Sequence, residues 1–311
     1  MKQSIADGIW PTMVTPFTAA GEVDYAALEA MVEWYIAQEV HGLFAVCQSS
    51  EMFRLSLPER VGLARFVKEK AAGRVQVIAS GHIADSIEEQ IAELGAIGAT
   101  GVDAVVLVSN RLAAEHEDEE KWKANARLLL DALPELSFGI YECPYPYKRL
   151  LSPELLRWCA ETGRFLFLKD TSCDIGQIEA KLAAVAGSPL KLFNANTTTL
   201  LDSLRLGAAG FSGVMANFHP DLYVRLVGLR GEEDQTAAEL LQSFLSVGSL
   251  IELQYYPVNA KYHLQSIGLP LTTACRTRDE AGLQPNHRIE VNNLERLAAT
   301  LRSILPLAGA Q

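Results

Sequence analysis

Short apolar runs alternate with amphipathic stretches along the first 230 residues of the chain. The runs lie at 8–14, 42–47, 75–80, 104–108, 138–141, 165–169, 191–194 and 211–215. Each is brief and mostly apolar, which predicts parallel strands buried on both faces. Between them, residues 25–38, 86–98 and 117–132 carry apolar side chains near helical spacing. Asp24 and Ser56 stand as N-caps, and Ser56 with Glu59 forms a capping box. Gly42 and Gly101 sit just before strands, where a helix ends and the chain turns back. Eight strand–helix units predict an α/β fold, a (β/α)₈ TIM barrel. A doubly wound open sheet produces a similar rhythm and is the alternative. The strand signals stop near residue 230, and residues 236–253, 257–267 and 291–305 read as helices. The expected division is a barrel over 1–230 that carries the active site and a three-helix extension over 231–311.

Composition narrows the function classes. Of the 311 residues, 49% are apolar and 21% charged, an ordinary soluble balance. No run approaches the roughly 18 to 20 apolar residues of a membrane span, and the start of the chain has no signal-peptide pattern. A cytoplasmic protein is expected. The net charge of −11 disfavours nucleic acid and anionic membranes as partners. An anionic substrate has to be met by local donors. Five cysteines at irregular spacing with no CxxC pair do not suggest a disulfide framework. Six histidines without HxH or HExxH grouping give no zinc signature.

In such a barrel the chemistry sits at the C-terminal ends of the strands. The sixth run closes on Lys169-Asp170-Thr171-Ser172. Burial in the barrel mouth disfavours the ammonium form and leaves the neutral amine that Schiff-base chemistry needs; a lysine snorkelling to solvent is the other reading. The fifth run closes on Tyr141, whose hydroxyl is suited to relaying protons at the same mouth, or which packs as a core aromatic with its hydroxyl at the rim. The second closes on Cys47-Gln48-Ser49-Ser50-Glu51, where hydroxyls and exposed amides suit a carboxylate unless the turn is simply a polar loop. Thr15 ends the first run.

Together these segments resemble the dihydrodipicolinate synthase / N-acetylneuraminate lyase family. The opening Thr15-Pro16-Phe17, the pair Tyr141-Glu142-Cys143-Pro144 and Lys169-Asp170-Thr171-Ser172, the strand-eight segment from Gly207 to Asn217, and Pro257 to Lys261 in the tail carry the likeness. The resemblance implies a class I aldolase or lyase. Lys169 forms an imine with pyruvate or a related 2-oxo acid, Tyr141 shuttles protons, and the imine stabilises the carbanion formed as a bond to an aldehyde or sugar acid breaks. Gln48 and Ser49 are expected to bind the 2-oxo acid. No metal or organic cofactor is required, and a homodimer or homotetramer is implied.

Departures from the family pattern bear on the substrate. Both glycines of its Gly-x-x-Gly-Glu motif are replaced, by Cys47 and Ser50. Ser109 stands about where dihydrodipicolinate synthases proper have an aromatic hydroxyl, and Ser212 where an aliphatic residue is usual; both are expected near the substrate. Pro146 stands in place of an arginine that holds the second substrate's carboxylate, with Lys148, Arg111 or Arg54 as substitutes. Tyr145, Tyr147 and Phe53 hint at an aromatic or apolar acceptor. These changes argue against the lysine-biosynthetic reaction. A dehydratase or hydratase-aldolase using the same imine is the alternative within the fold, a non-catalytic small-molecule-binding barrel the alternative outside it.

Overall fold

The computed structural model describes residues 4–231 and 235–305. The stretches 1–3, 232–234 and 306–311, which the expected barrel and extension include at their ends, lie outside the described residues. Eight strands, β1 (Gly8–Ile9), β2 (Gly42–Phe44), β3 (Gln76–Ala79), β4 (Ala104–Val108), β5 (Phe138–Tyr141), β6 (Phe165–Asp170), β7 (Lys191–Asn194) and β8 (Gly210–Phe211), form one sheet in the order β1-β8-β7-β6-β5-β4-β3-β2. Every pairing is parallel. A parallel bridge from Thr12 to Phe44 joins the two ends, making a (β/α)₈ barrel. The helices that follow the strands are α1 (Tyr25–Ala37), α2 (Leu57–Ala71), α3 (Ile87–Gly98), α4 (Glu119–Ala132), α5 (Pro153–Glu161), α6 (Ile175–Val185), α7 (Leu200–Arg205) and α8 (Pro220–Leu229).

The first and last strands are shorter than the apolar pattern predicts. Pro11 lacks an N–H and cannot donate to a ladder. Its carbonyl still accepts from Phe44 N at 3.0 Å and Met13 N donates to the Phe44 carbonyl at 3.1 Å, so the chain meets β2 as an isolated bridge at Thr12. After β8, a Cβ on Gly213 would lie 2.5 Å from the Ala195 carbonyl oxygen. The bare glycine lets the chain turn there into a 3-10 segment, Val214–Asn217. The caps follow the sequence: Asp24 accepts from Ala26 N and Ala27 N, and Ser56 and Glu59 form the reciprocal capping box.

Aromatic rings fill the barrel interior. Phe167 on β6 stacks on Phe193 of β7 at 4.4 Å, with Trp10 and Phe44 edge-on to it at 5.6 and 6.3 Å. Beyond the barrel lie α9 (Thr236–Gly248), α10 (Val258–Ser266) and α11 (Pro285–Ile304). The helix expected over 236–253 stops at Gly248 and continues as a 3-10 turn, Ser249–Leu253. Leu241, Leu264, Val291 and Leu301 from these helices join the same buried apolar cluster as the barrel strands.

Closure depends on the β1–β8 contact, where a Cβ on Gly210 would sit 1.8 Å from the Gly8 carbonyl oxygen. Gly210→Ala is expected to cost at least about 1–3 kcal/mol, the range for overpacking a closed interior. Gly228→Ala, in α8 with open space around it, is expected to gain about 0.5–1 kcal/mol. Denaturant midpoints for the two variants check the contrast.

Candidate active site

The register of β5 and β6 pairs Tyr141 with Lys169. Neighbouring residues in register project to one face, so both side chains enter the barrel mouth above the aromatic floor. Lys169 is 3% exposed, and its Nζ lies 4.5 Å from the centroid of the Tyr141 ring. Burial pushes the Lys169 pKa below the ordinary lysine value. Tyr141 Oη donates to Gln48 Oε1 at 3.2 Å, and burial raises the phenol's pKa.

The adjacent residues, Glu142 and Asp170, face the other way and are fully buried. Lys181 of α6 reaches both, at 2.6 Å to Glu142 Oε1 and 2.5 Å to Asp170 Oδ2. Glu142 also accepts from Leu151 N at 2.8 Å and Thr171 N at 3.0 Å. A third buried lysine, Lys261 of α10, pairs with Glu51 at 2.8 Å. Of the three lysines buried among the described residues, Lys169 is the one without a carboxylate partner.

A cavity of about 660 Å³ opens above Lys169. Gln48, Ser49, Tyr141, Glu252, Tyr256 and Arg278 contribute to its wall. Ser49 Oγ donates to Thr12 Oγ1 at 3.2 Å and also meets the Tyr256 hydroxyl, which accepts from Asn217 Nδ2 at 3.2 Å. The loop after β2 accommodates the loss of both glycines. Ser50 is buried and hydrogen-bonds to the Met13 and Ala45 carbonyls at 2.7 and 2.9 Å. The left-handed conformation falls on Glu51, at φ 61°. Glu51 accepts from Lys261 Nζ, from the backbone N–H groups of Arg276 and Thr277, and from the Thr277 hydroxyl. This residue therefore fastens the segment after α10 over the mouth. Arg276 strengthens the fastening by pairing with Glu59 at 2.6 Å and holds that carboxyl down to about 2.

The structure brings Lys169, Tyr141, Gln48 and Ser49 to one cavity. It does not bring Ser109 or Ser212 to that wall. Ser109 Oγ donates to the Arg149 carbonyl at 2.7 Å, and Ser212 Oγ to the Trp10 carbonyl at 3.0 Å. Of the three candidate cations, Lys148 lines the cavity; Arg111 pairs with Asp85 at 2.8 Å, and the Arg54 carbonyl serves Arg276. The aromatic residues near the mouth are engaged locally. Phe53 meets Tyr145 edge-on at 4.8 Å, and Tyr147 Oη donates to the Asn110 carbonyl. Sequence reading missed Glu252, Tyr256, Thr277 and Arg278, all from beyond the barrel. The available signal for Glu252 was a single acid within the apolar run Ser249–Leu253.

Among the described residues, His219, His263 and Glu295 bring metal-capable atoms within 4.8 Å of one another. None of them lines the cavity. Two of the three are already engaged, His263 Nε2 by the Phe218 carbonyl at 2.8 Å and Glu295 by Arg302 at 3.0 Å. Also among the described residues, no helix is long and apolar enough to cross a membrane.

The profile of the Dihydrodipicolinate synthetase family matches residues 6–296. The chain is 28% identical over 288 residues to the 4-hydroxy-tetrahydrodipicolinate synthase of Acidithiobacillus ferrooxidans, covering 88% of this chain and 95% of that one. It is 26% identical to the same enzyme of Thioalkalivibrio sulfidiphilus, with 97% of each covered. Among solved structures, the chloride-inhibited dihydrodipicolinate synthase of Acinetobacter baumannii complexed with pyruvate superposes with a TM-score of 0.85 at 25% identity, over 95% of this chain and 99% of that one. A prophage protein of the dihydrodipicolinic acid synthase family from E. coli K12, in complex with pyruvate, gives 0.84 at 22% identity, over 95% and 98%. This last likeness concerns the fold.

Lys181→Met removes the cation between Glu142 and Asp170 and leaves two carboxylates buried without it. The expected cost is about 3–5 kcal/mol, as for other broken buried pairs, read as a lowered denaturation midpoint. An unchanged midpoint would show that the three groups do not hold the strand ends together.

Proposed function

This chain belongs to the dihydrodipicolinate synthetase family, and from that premise we propose that it is a class I aldolase acting on pyruvate or a related 2-oxo acid. Lys169 attacks the keto carbon to form an imine. The carbon–carbon bond to an aldehyde or sugar acid is then made or broken. The observation that carries this reading is the buried Lys169 amine, facing a cavity with no carboxylate partner while the other buried lysines have theirs. A lowered pKa leaves more neutral amine available at a given pH below the ordinary lysine range, and the neutral amine is the nucleophile.

In this reading Gln48 and Ser49 meet the 2-oxo acid, Ser49 through its hydroxyl, and Tyr141 passes a proton at the imine. Ser109 and Ser212 act behind the wall, fixing the Arg149 and Trp10 carbonyls rather than touching substrate. Lys148 and Arg278 on the wall supply positive charge for an anionic acceptor. The absence of an arginine at Pro146 supports an acceptor other than that of the lysine-biosynthetic enzymes. The exposed Val247, Leu250 and Leu253 beside Glu252 support self-association through this face.

Incubation with pyruvate followed by borohydride reduction, intact mass and peptide mapping is expected to give one adduct, on Lys169. Lys169→Arg should give none. Tyr141→Phe is expected to retain the adduct while turnover, once an acceptor is found, falls by about 10²–10³. A folded sample that forms no adduct with any 2-oxo acid would instead identify a non-catalytic binder.

A further inference from the structure

Two carboxylates line the cavity, Glu51 and Glu252. Glu51 is fully committed to Lys261, Arg276 and Thr277. Glu252 has no hydrogen-bond or ion-pair partner among the described residues. It stands on the 3-10 turn Ser249–Leu253 and feels the charge of Lys169 across the cavity. A carboxyl left without donors in a largely buried setting is held there at a cost in stability, which calls for a use.

We propose that Glu252 is the acid–base residue that moves the proton at the carbon next to the imine, an inference that rests on the aldolase reading above. The other groups on the wall are poorly suited to that transfer. Tyr141 already has the proton at the imine assigned to it, and its hydroxyl hydrogen is engaged by Gln48 Oε1. Ser109, where an aromatic hydroxyl would extend the relay, is turned away to the Arg149 carbonyl. The titratable groups that act on or respond to Glu252 are Lys169 on β6, Cys173 just after it, Tyr223 on α8, and Tyr256. Both phenols and the Cys173 thiol are pushed up by burial and stay protonated near neutral pH. Lys148 and Arg278 also line the cavity, but the charge that acts on Glu252 is that of Lys169.

In the step assigned to it, the Glu252 carboxylate takes a proton from C3 of the imine-bound 2-oxo acid. The C3–H pair becomes the C2=C3 bond, and the C=N π pair moves to the lysine nitrogen, giving the enamine and a neutral carboxyl. Reversal returns the proton and restores the iminium. Burial raises Glu252 to about 7, which suits a group that must both accept and donate a proton at neutral pH.

The test needs no knowledge of the acceptor: exchange of the pyruvate methyl protons in D₂O, followed by proton NMR across pH, beside borohydride trapping of the same samples. The native protein is expected to trap pyruvate and to exchange its methyl protons, the rate falling as pH drops through about 7 and the carboxylate is lost. Glu252→Gln should still trap pyruvate on Lys169, exchange about 100-fold more slowly and lose that dependence; Glu252→Asp should restore part of the rate. Native exchange rates and pH profile in a trapping-competent Glu252→Gln would overturn the proposal. Loss of trapping together with exchange in Glu252→Gln would also overturn it, by making Glu252 a binding group. A native protein that traps no 2-oxo acid would overturn the aldolase reading and this inference with it.

Discussion

Two carboxylates and one lysine, buried behind the ends of neighbouring strands, hold Tyr141 and Lys169 in place at the mouth. Tyr141 and Glu142 are consecutive, as are Lys169 and Asp170, and the period of two along a strand sends one of each pair inward and the other outward. The outward acids meet Lys181 from α6. With Leu151 N and Thr171 N also donating to Glu142, the ends of β5 and β6 are cross-linked. The inward pair is thereby held in register above Phe167, Phe193 and Phe44. Asp170 follows Lys169 directly in sequence and Glu142 ends the neighbouring strand, yet both are engaged by Lys181. The amine is therefore free to lie over a phenol ring.

The chain beyond the barrel completes the cavity rather than merely covering it. Glu51 fastens Lys261, Arg276 and Thr277, and Arg276 in turn spans to Glu59 and the Gly21 carbonyl. These are buried or partly buried charge-assisted bonds, individually stronger than surface pairs. They draw Tyr256, Thr277 and Arg278 to the wall, and the turn after α9 brings Glu252 to it. The replaced glycines of the β2 loop fit this picture. Ser50 satisfies its hydroxyl on two backbone carbonyls, and the left-handed φ falls on Glu51, whose carboxylate forms the clamp.

The architecture was legible because it rests on local periodicity. Apolar runs of strand length, the N-caps at Asp24 and Ser56, and the helical pattern of the tail each report on residues close in sequence. Departures came where a single residue overrides the run: Pro11 ends β1, Gly213 ends β8, and α9 gives way to a 3-10 turn after Gly248. The Tyr141 and Lys169 positions were also legible, since residues at the ends of apolar runs fall at one end of the barrel.

By itself, then, the sequence determined the (β/α)₈ architecture, the strand that carries each candidate group, and the pairing of a lysine with a tyrosine at one mouth. Tertiary structure alone decided which groups share the cavity. Ser109 and Ser212 occupy promising strand ends, yet their hydroxyls are drawn to nearby backbone carbonyls. Glu252 and Tyr256, unremarked in a helical tail, reach the cavity above Lys169 from more than eighty residues away. Whether a buried charge is neutralised or left free depends on partners from distant segments. Lys181, Lys261 and Lys169 are three lysines alike in composition, and only the fold gives two of them carboxylates and withholds one from the third.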